Sequence, residues 1–182
     1  MQNNFPVLQT KNLKTQFFTE EGIVRAVDDI SFDVASGEVV GVVGESGCGK
    51  SVLARSIMRL LRPPGRTVDG QVIYHRPGTN NSGTDLISLD DDGDEIRSIR
   101  GGDITMIFQE PMASFSLVHT VGNQIIEGVL KHQDISKNEA RNLAIEMLGK
   151  VGIPNPDKRI DDYPFTLSGG MRQRCMIAMA LV

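Results

Sequence analysis

Two stretches near the start of the chain, Leu8–Phe17 and Ala26–Val34, alternate apolar and polar residues with the period of two that a strand with one buried face requires. Thr19-Glu20-Glu21-Gly22 lies between them with turn chemistry, so the pattern predicts an antiparallel pair. Glu38–Val43 reads differently. It is a short β-branched run ending at Gly44, as a buried parallel strand would. A helix is predicted over Lys50–Leu61, with Leu53, Ile57 and Leu60 on one face and Pro63-Pro64-Gly65 as its stop. Val68–Tyr74 predicts another strand, and Arg76–Glu95, rich in Gly, Asn, Ser and Asp, a solvated loop. Ile104–Phe108 is a compact apolar strand that Pro111 prevents from continuing. Ser136 with Glu139 forms a capping box ahead of a helical stripe of Ala140, Leu143, Ala144, Met147, Leu148 and Val151, which Gly152 and Pro154 end. A last helix is predicted from near Ser168 to the end of the chain. There is no internal repeat, and strands alternating with helices predict an α/β fold.

Composition narrows the function classes. A chain of 182 residues suffices for one domain with a sizeable core. Its 19 basic and 23 acidic residues give a net charge of -4, so no basic field points to nucleic acid. No apolar run approaches the roughly 20 residues needed to cross a bilayer. Met1–Pro6 lacks a basic region followed by an apolar stretch, so no secretory signal is visible. Cys48 and Cys175 make neither a disulfide framework nor a metal cluster. A reducing, cytosolic compartment is expected, with any membrane role exerted through a partner. Asp90-Asp91-Asp92-Gly93 suggests a calcium loop only at first sight. With Gly93 in the turn position, Ser88 and Ile99 fall where Asp and Glu are required, which leaves an acidic surface loop. His75, His119 and His132 read as surface or loop residues.

Gly44-Glu45-Ser46-Gly47-Cys48-Gly49-Lys50-Ser51 satisfies G-x-x-x-x-G-K-[ST] at every fixed position. Glycines let backbone N–H groups turn inward around phosphate oxygens where a Cβ would obstruct them. Lys50 supplies a point charge to the β- and γ-phosphates, and the Ser51 hydroxyl is placed to ligate Mg²⁺. The helix that follows aims its positive end at the same anion. A bare Gly-rich turn is the alternative, but an apolar strand before the motif and an amphipathic helix after it favour ATP binding.

Leu167-Ser168-Gly169-Gly170-Met171-Arg172-Gln173-Arg174 is, physically, a helix start: Ser168 can cap, and two glycines expose N–H groups at the positive end of the dipole. The whole octet resembles the signature motif of ABC transporters, in the form found in oligopeptide/dipeptide importer ATPases. Ile107-Phe108-Gln109-Glu110-Pro111-Met112 resembles that branch's Q-loop, and Thr120-Val121-Gly122-Asn123-Gln124-Ile125 the segment after it. The resemblance covers nearly the entire chain. It implies a P-loop NTPase core with an N-terminal antiparallel β-subdomain and a helical subdomain, divided near residue 108. It also implies an aromatic ring stacked on adenine, Phe17 or its rival Phe18. Gln109 would approach Mg²⁺ and the attacking water. Ser168, Gly169, Gly170, Met171 and Gln173 would meet the ATP bound to a second ABC ATPase subunit. The implied partners are that subunit, membrane permease subunits and, indirectly, a peptide-binding protein, at the cytoplasmic face of the inner membrane. Ser114-Phe115-Ser116-Leu117-Val118 departs from the Leu-Asn-Pro sequence that the branch carries here.

The resemblance also implies a further strand ending in Asp, a Glu directly after it and a later switch histidine. These belong after the signature helix, in which Val182 falls. The expectation is therefore an ABC-type domain truncated before Walker B, without autonomous hydrolysis. A soluble ABC ATPase of DNA repair or translation and a non-catalytic nucleotide-binding fragment are the competing readings.

Overall fold

A computed structural model describes residues 6–78, 83–110 and 114–182. Met1–Phe5, residues 79–82 of the predicted loop, and the Pro111 and Met112 positions of the Q-loop match lie outside the described residues. The chain forms two compact units, Met1–Arg97 and Ser98–Val182.

The first unit is built on an antiparallel sheet of order β2-β1-β3-β4, from β1 (Pro6–Thr19), β2 (Gly22–Ala35), β3 (Gly65–Tyr74) and β4 (Thr84–Asp85). The two-residue turn between Thr19 and Gly22 sets the β1–β2 register, placing Phe17 opposite Val24. The register then slips by one, with Gln16 opposite Arg25 but Thr15 opposite Val27, so Ala26 is the extra residue of a bulge. Leu13, Thr15, Val27 and Val72 are buried on one face. There the Thr15 hydroxyl shares a 2.7 Å hydrogen bond with the hydroxyl of Ser56 on α1 (Lys50–Ile57), and Ser56 donates to the Val52 carbonyl. These two buried hydroxyls satisfy each other, so α1 is fixed to the sheet without an unpaired polar group.

The second unit is helical. Helix α2 (Asp94–Gly102) leads into it and loses helical geometry at Arg100 and Gly101. Helices α3 (Val121–His132), α4 (Lys137–Lys150) and α6 (Gly169–Leu181) pack around one apolar cluster, with the short α5 (Pro156–Arg159) beside α4. Val121, Ile125, Ile126 and Val129 supply the α3 stripe; Ala140, Ala144 and Leu148 that of α4; Cys175, Met176 and Ala178 that of α6. Gly122 allows α3 to approach Ile160, since a Cβ would come within 2.3 Å of the Ile160 side chain. Every long helix here is capped by a hydroxyl: Thr120 accepts from Asn123 N, Ser136 completes the predicted capping box with Glu139, and Ser168 accepts from Met171 N. A two-pronged pair, Arg141 to Asp161 at 2.9 and 2.7 Å, fastens α4 to the segment after α5 and holds the Asp161 carboxyl below the usual carboxylate range.

Several expected elements are corrected. Helix α1 stops at Ile57 rather than Leu61, because Arg59 turns left-handed at φ 51°. Its guanidinium donates to the Leu86 and Leu89 carbonyls and pairs with Asp91 at 2.6 Å, all distant in sequence. Glu38–Val43 pairs with no strand among the described residues, and Val39 and Val43 are almost fully exposed. A β-branched run suits a strand but does not provide the neighbour whose backbone it must bond. Ile104–Phe108 is likewise not a ladder strand, keeping only an isolated parallel bridge between Arg100 and Ile104. The stretch Arg76–Glu95 is not wholly loop: it contains β4, a 3₁₀ turn at Leu86–Ser88 with Leu86 buried, and the start of α2. Helix α3 was not anticipated as a helix, although Thr120 as cap and apolar residues at 121, 125, 126 and 129 spell one. His75 bonds Gln9, His119 bonds Ser116, and His132 lies against Gly101 and Gly102.

Gly128 sits in the interior of α3 at ordinary helical geometry, with nothing within 4 Å of the place where a Cβ would stand. Gly128→Ala reduces the entropy lost on folding without a clash, so it should stabilise the chain by about 0.5–1 kcal/mol. Thermal or urea unfolding measures this; a lower midpoint in the variant would contradict the packing described for α3.

Candidate functional site

Two helix starts carry the motifs singled out in the sequence. The first four N–H groups of any helix have no partner within it, so what meets them must come from a cap or from outside.

The first place is the loop ahead of α1. Gly47 and Gly49 occupy the left-handed region at φ 84° and 95°, which an L side chain resists. Gly49 is doubly constrained, because a Cβ there would lie 2.1 Å from the Ala26 carbonyl oxygen. The β2 bulge and the end of the loop therefore touch backbone to backbone. Gly49 is also the N-cap of α1 and brings no side chain to it, and the first turn of α1 contains no acidic residue. Its donors are left for an external anion. The Lys50 ammonium crosses the loop and donates to the carbonyls of Gly44 at 2.8 Å and Glu45 at 2.6 Å, with the Cys48 sulfur 3.6 Å away. It is thus folded back onto the loop rather than extended into solvent. Gly44, Glu45, Ser46 and Cys48 are exposed, and Ser51 presents its hydroxyl from the first turn of the helix. All eight predicted residues lie in this loop and the first turn of α1. A hard oxygen donor beside a phosphate cradle fits Mg²⁺ chemistry.

Phe17 and Phe18 fall on opposite faces of β1. Phe17 follows Leu13 and Thr15 onto the α1 face, where its ring lies against Gly65 and its cross-strand neighbour is Val24. Phe18 lies on the other face, beneath the Arg66 guanidinium at 4.4 Å. Val24, 55% exposed, was missed by sequence reasoning, although counting outward from the Thr19–Gly22 turn places it opposite Phe17.

The second place is the start of α6, in the helical unit. The Ser168 hydroxyl accepts from Met171 N at 3.3 Å, which occupies a lone pair and leaves its own proton free to donate. Gly169 and Gly170 follow as the first two helical residues, with no positive φ and nothing within 4 Å of where a Cβ would stand on either. The chain's own packing therefore does not require glycine at either position, though each costs helix stability of about 1 kcal/mol relative to Ala. Gln173 is exposed; Met171, by contrast, turns its side chain into the helical core, which leaves only its backbone at the helix start. Arg172, unassigned from sequence, donates back to the carbonyls of Pro164 and Phe165. Gln109 is exposed at a bend in the same unit, next to Phe108, which packs on the helical core. Among the described residues no cluster of His, Cys, Asp and Glu could hold a metal by itself, and no helix is long and apolar enough to cross a membrane.

Residues 27–182 match the family model described as ABC transporter. The chain is 49% identical over 176 residues to the "Probable peptide ABC transporter ATP-binding protein y4tR" of Sinorhizobium fredii, covering 96% of this chain and 50% of that protein. It is 47% identical over 177 residues to the dipeptide transport ATP-binding protein DppD of Bacillus subtilis, covering 97% and 50%. The chain thus spans about half the length of the curated relatives it matches. Among solved structures it resembles the dimeric bacterial ABC transporter cassette MJ0796, with a TM-score of 0.79 and 27% identity over 96% of this chain and 68% of that one. A post-hydrolysis state of the same cassette bound to ADP and Pi gives 0.80 and 26% over the same shares.

The two cysteines differ in a way that labelling can read. Cys48 is exposed in the loop, whereas burial pushes the Cys175 thiol up to about 11. Because the thiolate is the nucleophile, iodoacetamide at neutral pH should modify Cys48 alone in the native chain and both residues in denaturant. Peptide mass spectrometry decides; comparable native labelling of Cys175 would contradict its place in the core.

Proposed function

The chain belongs to the ABC transporter family, and from that premise we propose that it is an ATP-binding subunit of a peptide importer, coupling ATP binding and hydrolysis to the passage of di- or oligopeptides through partner permease subunits. The observation that carries this reading is the pair of helix starts with externally available donors on one chain, at Gly49-Lys50 and at Ser168-Gly169-Gly170. The names of y4tR and DppD support peptides as cargo. The dimeric cassette supports pairing with a second ABC ATPase subunit.

In this reading the Gly44–Ser51 loop holds the ATP phosphates: backbone N–H groups cradle them, Lys50 neutralises the β- and γ-phosphates, and Ser51 offers its hydroxyl to Mg²⁺. The ion, when bound, neutralises charge on the phosphates. Phe17 is favoured over Phe18 as the adenine platform, because it shares the face of β1 on which α1 packs and has the exposed Val24 beside it. Phe18 is already engaged by Arg66 on the opposite face. Ser168, Gly169 and Gly170 receive the γ-phosphate of the ATP held by the second subunit: the serine donates its free proton, and the absence of Cβ atoms lets the anion approach the backbone. Gln109 orients water by virtue of its Q-loop match. The subunit is peripheral, at the cytoplasmic face of the membrane, reached through the permease and served indirectly by a peptide-binding protein.

Two substitutions separate the two sites. Lys50→Ala removes a charge-assisted contact to phosphate worth about 1.5–3 kcal/mol, so MgATP affinity by titration calorimetry should fall roughly ten- to a hundredfold. Equal affinity in wild type and variant would overturn the phosphate role of the loop. Ser168→Arg should leave the chain's own MgATP affinity unchanged while abolishing nucleotide-dependent pairing, read by light scattering. Loss of ATP binding by the isolated variant would mean that the α6 start acts within one chain.

A further inference from the structure

We propose that Arg172 is a positioning residue for the anion site at the start of α6, holding the entry turn Pro164–Thr166 so that Ser168, Gly169 and Gly170 keep the shape that receives a phosphate from a second subunit. This rests on the reading of a nucleotide shared between two subunits.

A helical side chain lies over the turn N-terminal to its own Cα, and Arg172 reaches one turn further. Its Nε donates to the Pro164 carbonyl at 2.8 Å and its Nη2 to the Phe165 carbonyl at 3.4 Å. Its backbone N–H donates to the Ser168 carbonyl at 2.9 Å. One residue therefore holds the chain ahead of the serine through its side chain and at Ser168 itself through the ordinary helical bond of its backbone. The same turn is anchored from the core by buried Pro164 and Leu167. With the turn ahead of it held, the Ser168 hydroxyl remains the cap of Met171 N at the start of α6.

Charge supplies the second line of argument. A cation near a helix N-terminus faces the positive end of the dipole, which is unfavourable for the isolated helix. Helix α4 follows the usual rule, with Glu139 in its first turn, whereas α6 has no acidic residue there and carries Arg172 just beyond. The arrangement opposes helix stability and suits an incoming anion. The planar guanidinium fork holds the two carbonyls from separate nitrogens in a fixed geometry, which the single nitrogen of an ammonium on a flexible stem does not impose.

The test uses the 182-residue chain with MgATP, in wild type, Arg172→Met, Arg172→Lys and Arg141→Met, the last losing the Asp161 pair without touching α6. Calorimetry reads the chain's own ATP affinity, and sedimentation reads MgATP-dependent pairing. Amide exchange reads the Thr166 and Leu167 N–H groups, which donate to Tyr163 O and Pro164 O. Arg172→Met should keep its own ATP affinity within about twofold, weaken pairing by about tenfold or more, and speed exchange at 166 and 167. Arg172→Lys should recover part of the pairing, and Arg141→Met all of it. If wild type pairs and Arg172→Met pairs equally well, the role of Arg172 is overturned while the shared-nucleotide reading stands. If wild type does not pair with MgATP, the shared-nucleotide reading falls and this inference falls with it. Loss of the variant's own ATP affinity with its circular dichroism intact would also overturn it, since Arg172 would then act on the chain's own loop.

Discussion

A helix cannot hydrogen-bond its own first N–H groups, and much of this molecule is organised around who satisfies them. At α3 the carbonyls of Asp162 and Ile160 accept from the Val121 and Gly122 N–H groups and Thr120 accepts from Asn123, and at α4 the Ser136–Glu139 box closes the start. At α1 and α6 it leaves donors available. Helix α1 opens on a glycine that offers no side-chain cap, and α6 opens on a serine that caps only its third residue. Both starts belong to the motifs read from sequence, although the short α5 also opens without a side-chain cap.

The glycines of the two sites answer different requirements. Gly49 is demanded from within, by a left-handed backbone and by contact with the Ala26 carbonyl at the β2 bulge. Any side chain there would push the loop off the sheet, which makes the bulge part of the site although it lies far away in sequence. Gly169 and Gly170 are demanded by nothing within the chain. Under the proposed function their cost to α6 is offset by the approach of the phosphate, and Arg172 braces the turn ahead of them. The phosphate loop is shaped from below by the sheet, the α6 start from behind by its own helix.

Much of the chemistry was legible without coordinates because it is local. The eight residues from Gly44 to Ser51, the Ser136–Glu139 box and the Ser168 cap each depend on residues a few positions apart, and the structure holds each of them as a local unit. The β1–β2 pairing was also legible, since the turn at Thr19–Gly22 determines which residues face each other. Even the alternation of Leu13, Thr15 and Phe17, which separates Phe17 from Phe18, follows from the period of a strand.

What the sequence by itself determined, then, is the set of motifs, the family they belong to and the faces of the strands. Tertiary structure decided the rest: that α1 ends early because Arg59 finds carbonyls some thirty residues away, that Met171 points into the core, and that Arg172 reaches back to the Pro164 turn. It also decided that Glu38–Val43 and Ile104–Phe108, strand-like in composition, form no ladder among the described residues. The reason is the same in each case. A helix cap or a turn closes its hydrogen bonds within a few residues and can be read locally, whereas a strand, a helix stop or a side-chain brace takes its partner from a distant part of the chain.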